Sequence, residues 1–187
     1  MFDSIIQILS KKNIHAIQVR TKEEACQRIQ EMLPQKSSIG FWWSRTLEDI
    51  QILNELKKWD YTMFDRTNFP KWSTEARQMM LNSQHADFFL WSCNAITQEW
   101  QLLFWETNWN RVASIIYGPN KVILIIGKNK IVKTVKEWCE RLQYVAEQIA
   151  KRLEKPVEEI ICYKVIIEKQ WNKDRIFIIF VDENLWT

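Results

Sequence analysis

The regular alternation of short β-prone segments with amphipathic helical segments is the feature that most constrains how this chain can fold. Residues 15–19 alternate like a strand, and the capping-box pattern from Thr21 to Glu24 starts a predicted helix over 22–33. Strands follow at 37–41, 61–64 and 86–90, with helices at 46–56, where Thr46 can cap the start, and at 73–81. This order predicts a mainly parallel sheet with helices on both faces.

The second half of the chain continues the same pattern. The apolar segment 121–126 predicts a buried central strand, and a long helix follows over 133–153. A strand or hairpin is predicted at 101–105, and two late strands, at 160–168 and 175–181, are expected to pair as a C-terminal β-hairpin. The predicted fold class is therefore α/β, an open, mainly parallel sheet with that hairpin. A single domain is expected over 1–187, with 1–12 as an N-terminal helix or extension.

Charge, cysteine spacing and hydropathy argue against several classes of protein. The apolar runs fall far short of the roughly 18 residues of a membrane span, and Asp3 stands where a secretory signal has basic residues. A cytoplasmic protein is expected. The net charge of +3 is spread along the chain, which does not favour nucleic-acid binding. The four cysteines include no Cys-x-x-Cys pair, so no metal site is expected.

Candidate binding residues come from the positions that follow predicted strands. In open α/β sheets, ligands bind beyond the carboxyl ends of the strands, and four polar segments fall there, at 40–46, 92–97, 106–111 and 127–130. The candidate ligand-binding residues in these segments are Gly40, Trp42, Trp43, Ser44, Thr46, Asn94, Thr97, Asn110, Arg111, Gly127, Asn129 and Lys130. Together they predict a site for a small anion at this edge of the sheet.

Three of the side chains in these segments could also carry catalysis, although no catalytic residue is assigned. The best candidates are Glu106, Arg111 and Lys130. The Arg111 guanidinium suits a carboxylate ligand such as lactate, or a salt bridge to Glu106 or Asp87. Lys130 follows the central strand and is either a ligand contact or a solvated charge at a helix start.

The amides and hydroxyls at the strand ends have two interpretations as well. Asn94 and Thr97 can bind a ligand, or they can satisfy the backbone of their own turn. His15 and His85 lie outside the polar segments, and no Ser, Asp or Cys stands at a spacing that would support a catalytic triad.

Six short motifs in order resemble those of a known family. They are 39–47 (Ile-Gly-Phe-Trp-Trp-Ser-Arg-Thr-Leu), Ala86-Asp87, 94–97 (Asn-Ala-Ile-Thr), 110–113 (Asn-Arg-Val-Ala), 117–119 (Tyr-Gly-Pro) and 127–132 (Gly-Lys-Asn-Lys-Ile-Val). The chain resembles the lactate-utilisation (LUD) domain family over about 12–187, in particular its short members akin to lactate-utilisation protein C. Each motif alone is weakly specific, and the six in order are strongly so.

The resemblance implies a fold of the phosphosugar-isomerase and CoA-transferase type. It also implies a role in the oxidation of L-lactate to pyruvate, with iron–sulfur clusters held by partner proteins and no cofactor in this chain. The family often has a cysteine-rich stretch before its last two strands, whereas 155–162 of this chain contains one cysteine. A homo-oligomer remains among the alternatives for its assembly.

Two other functions compete with this one. A stand-alone isomerase or transferase acting on a phosphosugar or a CoA ester would need a group poised for proton transfer, for which Glu106 is the best candidate. A nucleic-acid-binding module would use aromatic stacking and lysines. The second is disfavoured because the tryptophans are not interleaved with a basic stripe.

The content of tryptophan and glycine is abnormal, with 11 tryptophans and only 3 glycines. Glycines of the family align with Trp42, Trp43, Trp59, Trp100, Trp109 and Trp186. One hypothesis is that UGA codons, read as tryptophan here, specify glycine in the natural protein. The alternative is a genuine tryptophan-rich variant whose rings pack as core or partner surface. UGG codons at 42, 43 and 109 would contradict the glycine hypothesis.

Glycine at 42 and 43 would change the predicted binding site. The turn would become Gly-Phe-Gly-Gly-Ser, whose free amides at a helix start form a cradle for an anion. Two indoles at the same positions would block or rebuild that cradle.

Overall fold

The computed structural model describes residues 2–106, 110–160 and 163–186. In these ranges the strands are β1 His15–Val19, β2 Ser38–Phe41, β3 Thr62–Phe64, β4 Phe88–Trp91, β5 Ala95–Thr97, β6 Leu102–Glu106, β7 Lys121–Gly127, β8 Ile131–Val132, β9 Tyr163–Ile167 and β10 Ile176–Val181. The α-helices are α1 Asp3–Ser10, α2 Lys22–Met32, α3 Arg45–Asp49, α4 Ile52–Leu56, α5 Thr74–Gln84, α6 Asn110–Ile116 and α7 Val135–Leu153.

Six strands form one sheet in the order β1-β10-β7-β4-β2-β3, and every pairing in it is parallel. The apolar strand β7 lies near the centre, as its sequence predicts. One face packs against α1 and α6, and the other packs against α2, α3 and α4. The predicted fold class, a parallel α/β sheet with helices on both faces, is therefore confirmed.

A second sheet, of order β8-β5-β6-β9, lies beyond the carboxyl end of β4. β6 pairs antiparallel with β5 and with β9, whereas β8 pairs parallel with β5. Helix α7 packs on this sheet through Trp138 and Leu142. Sequence patterns located β6 and β9 but not the short strands β5 and β8, and they did not predict a separate sheet. Among the residues that the structure describes, no helix combines the length and apolar composition needed to cross a bilayer.

The two late strands are both present, but they do not pair with each other. β9 pairs antiparallel with β6 in the second sheet, whereas β10 lies between β1 and β7 in the first. The connection after β9 therefore links the two sheets instead of closing a hairpin. Strand pairing between distant segments is decided by which apolar faces must be buried together, and local sequence does not specify it.

Three local features also differ from the predicted pattern. The helix predicted at 46–56 is split into α3 and α4, because Gln51 adopts a left-handed conformation (φ 56°) between them. Ser44, and not Thr46, caps α3 by accepting a hydrogen bond from the Leu47 amide. Helix α6, Asn110–Ile116, is not predicted by the sequence pattern.

Two tryptophans have backbone conformations that favour glycine. Trp72 has φ 68° and Trp100 has φ 76°, in the left-handed region that bulky residues rarely adopt. Trp100 is one of the positions that align with a family glycine, whereas Trp72 is marked only by its backbone conformation. These conformations are consistent with the glycine hypothesis, which stays a prediction until the codons are read.

Trp72→Gly should raise the free energy of unfolding by about 1 kcal/mol, because glycine relieves the strain of a left-handed residue. Little packing is lost, since Trp72 is 65% exposed. Trp171 is a matched control: it is 93% exposed and does not have a positive φ, so Trp171→Gly should give no gain. Denaturant unfolding of the three proteins measures the difference. Equal or lower stability of Trp72→Gly than of Trp171→Gly would contradict the prediction.

Candidate functional site

A cleft of about 230 Å³ lies at the carboxyl ends of β2 and β3. Trp42, Trp43 and Ser44, which follow β2, form one wall, and residues 65–67, which follow β3, form another. Ser44 is buried, and its side chain caps α3. The cleft therefore occupies the position that the rule for open α/β sheets predicts.

Two residues that line this cleft each have a buried side-chain N–H with no acceptor among the described residues. These donors are Nε1 of Trp42 and Nε of Arg66. The Arg66 guanidinium lies 5.6 Å from the centre of the Trp42 ring. The nearest acid in sequence, Asp65, instead accepts hydrogen bonds from the Thr67 amide and hydroxyl. A buried donor without a partner costs about 1–3 kcal/mol, so a ligand that supplies acceptors here would be stabilised.

A buried lysine lies on the other side of α3 from the cleft. Lys130 is only 3% exposed, and its Nζ donates to Thr46 Oγ1 (2.9 Å), Ser92 Oγ (2.8 Å) and the Cys93 carbonyl (3.2 Å). Ser92 in turn donates to the Ile125 carbonyl of β7. We call Lys130, Thr46, Ser92 and Cys93 the Lys130 cluster. It joins α3, the residues after β4 and the residues after β7.

The acid that favours the charged form of Lys130, Asp49, lies beyond salt-bridge distance. No salt bridge of the described part of the chain includes Lys130. Burial is the main cause that lowers the pKa of Lys130 to about 8; Arg141 acts in the same direction, and Cys93 and Asp49 act in the opposite one. Burial also raises the pKa of the Cys93 thiol to about 12. This edge of the sheet is therefore electropositive, and its thiol is unreactive near neutral pH.

Glu106 and Arg111 form a buried ion pair. Arg111 Nε and Nη2 donate to the Glu106 carboxylate at 2.5–2.9 Å, and the Arg111 amide donates to it at 3.1 Å. Glu106 is 1% exposed, and the guanidinium lies 5.0 Å from the Trp91 ring. Of the two salt-bridge partners considered from sequence, the structure shows Glu106. Asp87 lies at the opposite end of β4, where it accepts hydrogen bonds from Ser38.

The amide and hydroxyl side chains at the strand ends form hydrogen bonds within the protein. Asn94 Oδ1 accepts from the Trp105 amide, and Thr97 Oγ1 accepts from the Gln101 amide. Asn129 binds the backbone of Leu185 in both directions, donating from Nδ2 at 2.7 Å and accepting at Oδ1 at 3.1 Å. Asn94 and Thr97 therefore satisfy the backbone of their own segments, which is the second of the two interpretations, whereas Asn129, a ligand candidate from sequence, holds the C-terminal segment.

Gly40 and Gly127, the two glycines among the candidates, lie where neighbouring atoms leave no room for a side chain. A side chain on Gly40 would lie 2.7 Å from the Ser83 carbonyl of α5, and one on Gly127 would lie 2.8 Å from Leu185. Asn110 starts α6, where its carbonyl accepts from the Ser114 hydroxyl. Trp109 lies outside the described residues.

Two tryptophans at this edge lie beside an arginine side chain, with their rings tilted to each other. Trp43 is 49% exposed and its ring centre lies 6.4 Å from that of Trp186. The Arg45 guanidinium lies 5.7 Å and 5.4 Å from these two ring centres. The Trp186 amide donates to Asp49, so residues 182–186 run along the same edge of the sheet.

The structure therefore brings the candidates together in two groups. Trp42, Trp43 and Ser44 line the cleft, whereas Thr46 and Lys130 meet in the Lys130 cluster. Asn94, Thr97, Asn110, Arg111 and Asn129 make the separate contacts described above. Within the described ranges, no three His, Cys, Asp or Glu side chains come together as metal ligands do.

Sequence reasoning missed Arg66 and Arg141. Arg66 follows β3, so applying the strand-end rule to that strand would have found it. Arg141 lies within α7, and its Nη1 donates to the Asn129 carbonyl at 2.7 Å. No local pattern marks it, because the contact depends on how α7 packs against a loop twelve residues earlier.

Comparisons with known proteins give a family and a fold. The sequence profile of the LUD domain matches residues 3–181. A DUF162 family protein from Deinococcus radiodurans is structurally similar, with TM-score 0.57 and 12% identity over 95% of this chain and 93% of that chain. This likeness shows a shared fold. No curated protein matches the sequence significantly.

Two isomerases are weaker structural matches. Ribose 5-phosphate isomerase A from Methanocaldococcus jannaschii has TM-score 0.43, and a D-ribose-5-phosphate isomerase in complex with phospho-erythronic acid has TM-score 0.47. Each is 10% identical and covers 88% of this chain and 96% of its own. These likenesses are too weak to carry an argument about function.

Proposed function

The chain belongs to the LUD domain family, and from this premise we propose that it serves L-lactate utilisation by binding a small carboxylate, lactate or pyruvate. Oxidation of L-lactate to pyruvate releases two electrons and two protons. We assign the electrons to iron–sulfur clusters in partner proteins, and no cofactor to this chain. Its own contribution is to bind and orient the carboxylate.

The observation that carries the proposal is the pair of buried donors beside the cleft. Trp42 and Arg66 line the same space, and Trp42 Nε1 and Arg66 Nε are buried beside it without an acceptor among the described residues, so a side-chain shift would turn them toward a ligand. A carboxylate offers two acceptor oxygens and a negative charge, and arginine binds carboxylates in a defined planar geometry. The buried ammonium of Lys130 adds positive potential at the same edge of the sheet.

The size of the cleft favours a small ligand. At about 230 Å³ it is smaller than the roughly 300–1,000 Å³ of pockets that hold drug-sized molecules. A three-carbon hydroxy acid suits this volume better than a CoA ester does. The volume and the donors therefore point to the same class of ligand.

The alternative, a stand-alone isomerase, has less support from the residues. Its proton-transfer candidate, Glu106, is bound by three N–H groups of Arg111 and is almost fully buried. A general base must reach the proton that it removes. Glu106 would have to leave this ion pair to act.

Calorimetric titration with L-lactate and pyruvate tests the binding step. We expect both acids to bind, and Arg66→Met to weaken binding about 10- to 100-fold, because a hydrogen bond to a charged group contributes about 1.5–3 kcal/mol. Arg77→Met is a matched control, since Arg77 is an exposed residue of α5. Absence of binding, or equal weakening by both substitutions, would contradict the proposal.

A reconstitution experiment tests the role in oxidation. The chain is mixed with L-lactate, an electron acceptor and iron–sulfur proteins from neighbouring genes of its source genome, chosen by their Cys-x-x-Cys-x-x-Cys motifs, and pyruvate is measured. We expect pyruvate only when the partners are present. Turnover of ribose 5-phosphate by the chain alone would instead support the isomerase.

A further inference from the structure

Strand β9 is an edge strand whose sequence is complementary to itself. Among the described strands, β6 is the one that pairs with β9, at the end of the second sheet. Lys164, Ile166 and Glu168 alternate along β9 and just beyond it, and all three are exposed. An edge strand with an apolar side chain in solvent is a template for pairing with another chain.

We propose that β9 pairs antiparallel with β9 of a second copy of this chain, around a two-fold axis at Ile166. A two-fold interface brings the same surface of both copies together. In this register Ile166 lies opposite the Ile166 of the second copy, and each Lys164 lies opposite a Glu168. The two sheets of four strands would join into one sheet of eight.

The register follows from charge complementarity. With the axis at Ile166, lysine faces glutamate twice, and opposite charges in directly facing positions stabilise a strand pair. An axis at Lys164 would place the two Lys164 side chains opposite each other, and an axis at Val165 would place Lys164 opposite Ile166. Of these three axes, only the one at Ile166 places Lys164 opposite Glu168.

The other face of the strand agrees with the same register. Val165 and Ile167 are half-buried and pack against the main apolar core. An axis at Ile166 places Val165 opposite Ile167 of the second copy, so apolar residues meet on this face too. Pairing would also bury Ile166, which is 40% exposed in one copy.

The other five-residue edge strand does not have this property. β1 is the end strand of the six-stranded sheet, with the sequence His-Ala-Ile-Gln-Val. Self-pairing around its central residue, Ile17, would place His15 opposite Val19 and Ala16 opposite Gln18. No opposite charges would meet, so β9 is the edge that fits a second copy.

Sedimentation analysis over a range of protein concentrations tests the proposal. We expect a species of twice the mass of one chain, and we expect Lys164→Glu or Glu168→Lys alone to weaken the dimer about tenfold, because like charges then face each other in both halves of the interface. The double substitution Lys164→Glu with Glu168→Lys should restore the dimer. Lys136→Glu makes the same charge change at a position that is 87% exposed on α7, and it should have no effect.

Three results would overturn the proposal. They are a monomer at all concentrations, a dimer that neither single charge reversal weakens, and a dimer that the double reversal fails to restore. Circular dichroism of each variant confirms that the chain remains folded. The experiment does not depend on carboxylate binding, so its failure leaves the proposed function untouched.

Discussion

Replacing Arg111 by methionine should lower the free energy of unfolding by about 3–5 kcal/mol, which is a large part of the stability of a domain of this size. The substitution removes the cation from a Glu106 carboxylate that is 1% exposed. The carboxylate would then be buried without its principal counter-charge. Methionine keeps much of the apolar contact that the Arg111 side chain makes beside Trp91, so the loss reports mainly on charge.

An exposed ion pair with the same separation provides the control. Arg28 and Glu31 are also 2.5 Å apart, but their side chains are 54% and 44% exposed. Arg28→Met should therefore cost less than about 1 kcal/mol. Denaturant unfolding at pH 7 measures both variants. Adding Glu106→Gln to Arg111→Met should recover part of the loss, and a loss below 1 kcal/mol for Arg111→Met would show that burial of this pair does not matter.

Lys130→Met should raise the free energy of unfolding at pH 7 by about 2 kcal/mol. Lowering the pKa of a lysine from 10.5 to about 8 corresponds to a penalty of about 3 kcal/mol for the charged form in the folded state. The substitution also removes the three hydrogen bonds that Nζ donates, which makes the expected gain smaller than this penalty. Replacing a buried charge by an apolar side chain of similar volume is often neutral or stabilising. A loss of stability on Lys130→Met would show that the hydrogen bonds outweigh the burial of charge.

The pH dependence identifies Lys130 as the cause. Between pH 8 and 10.5 the unfolded chain binds more protons at this lysine than the folded protein does, so its contribution to stability rises with pH. The advantage of Lys130→Met should therefore shrink by about 1 kcal/mol from pH 8 to pH 9. Above pH 9 the Cys93 thiol ionises in the unfolded chain first, because its folded pKa is about 12, and it acts in the opposite direction.

A neighbouring lysine serves as the control for this measurement. Lys128 lies two residues away, and its side chain is 41% exposed beside Asp182. Lys128→Met should change stability by less than about 0.5 kcal/mol. Identical pH profiles for the wild type and Lys130→Met would contradict the assignment of the titration to Lys130.

Parts of the candidate site could be predicted from sequence because they depend on strand ends. The segment after β2 contributes Trp42 and Ser44 to the cleft, and the segments after β4 and β7 meet at Lys130. Sequence could not show which polar side chains are used within the protein. Asn129 has a side chain that could bind a ligand and follows a strand, yet both its Nδ2 donor and its Oδ1 acceptor are hydrogen-bonded to the backbone of Leu185.

Local sequence determined the elements and the fold class of this protein. Period, capping residues and apolar runs act over a few neighbouring residues, and they placed β1, β7 and α7 within two residues of their observed bounds. The order of strands and helices then required a parallel sheet covered on both faces.

Only the tertiary structure decided the partners of each element and each charge. It separated β9 from β10, selected Glu106 over Asp87 as the partner of Arg111, and buried Lys130 between α3 and the residues after β4. These pairings connect residues up to 84 positions apart. Their free energy depends on burial and on which surfaces compete for it, and neither is encoded in any short stretch of the chain.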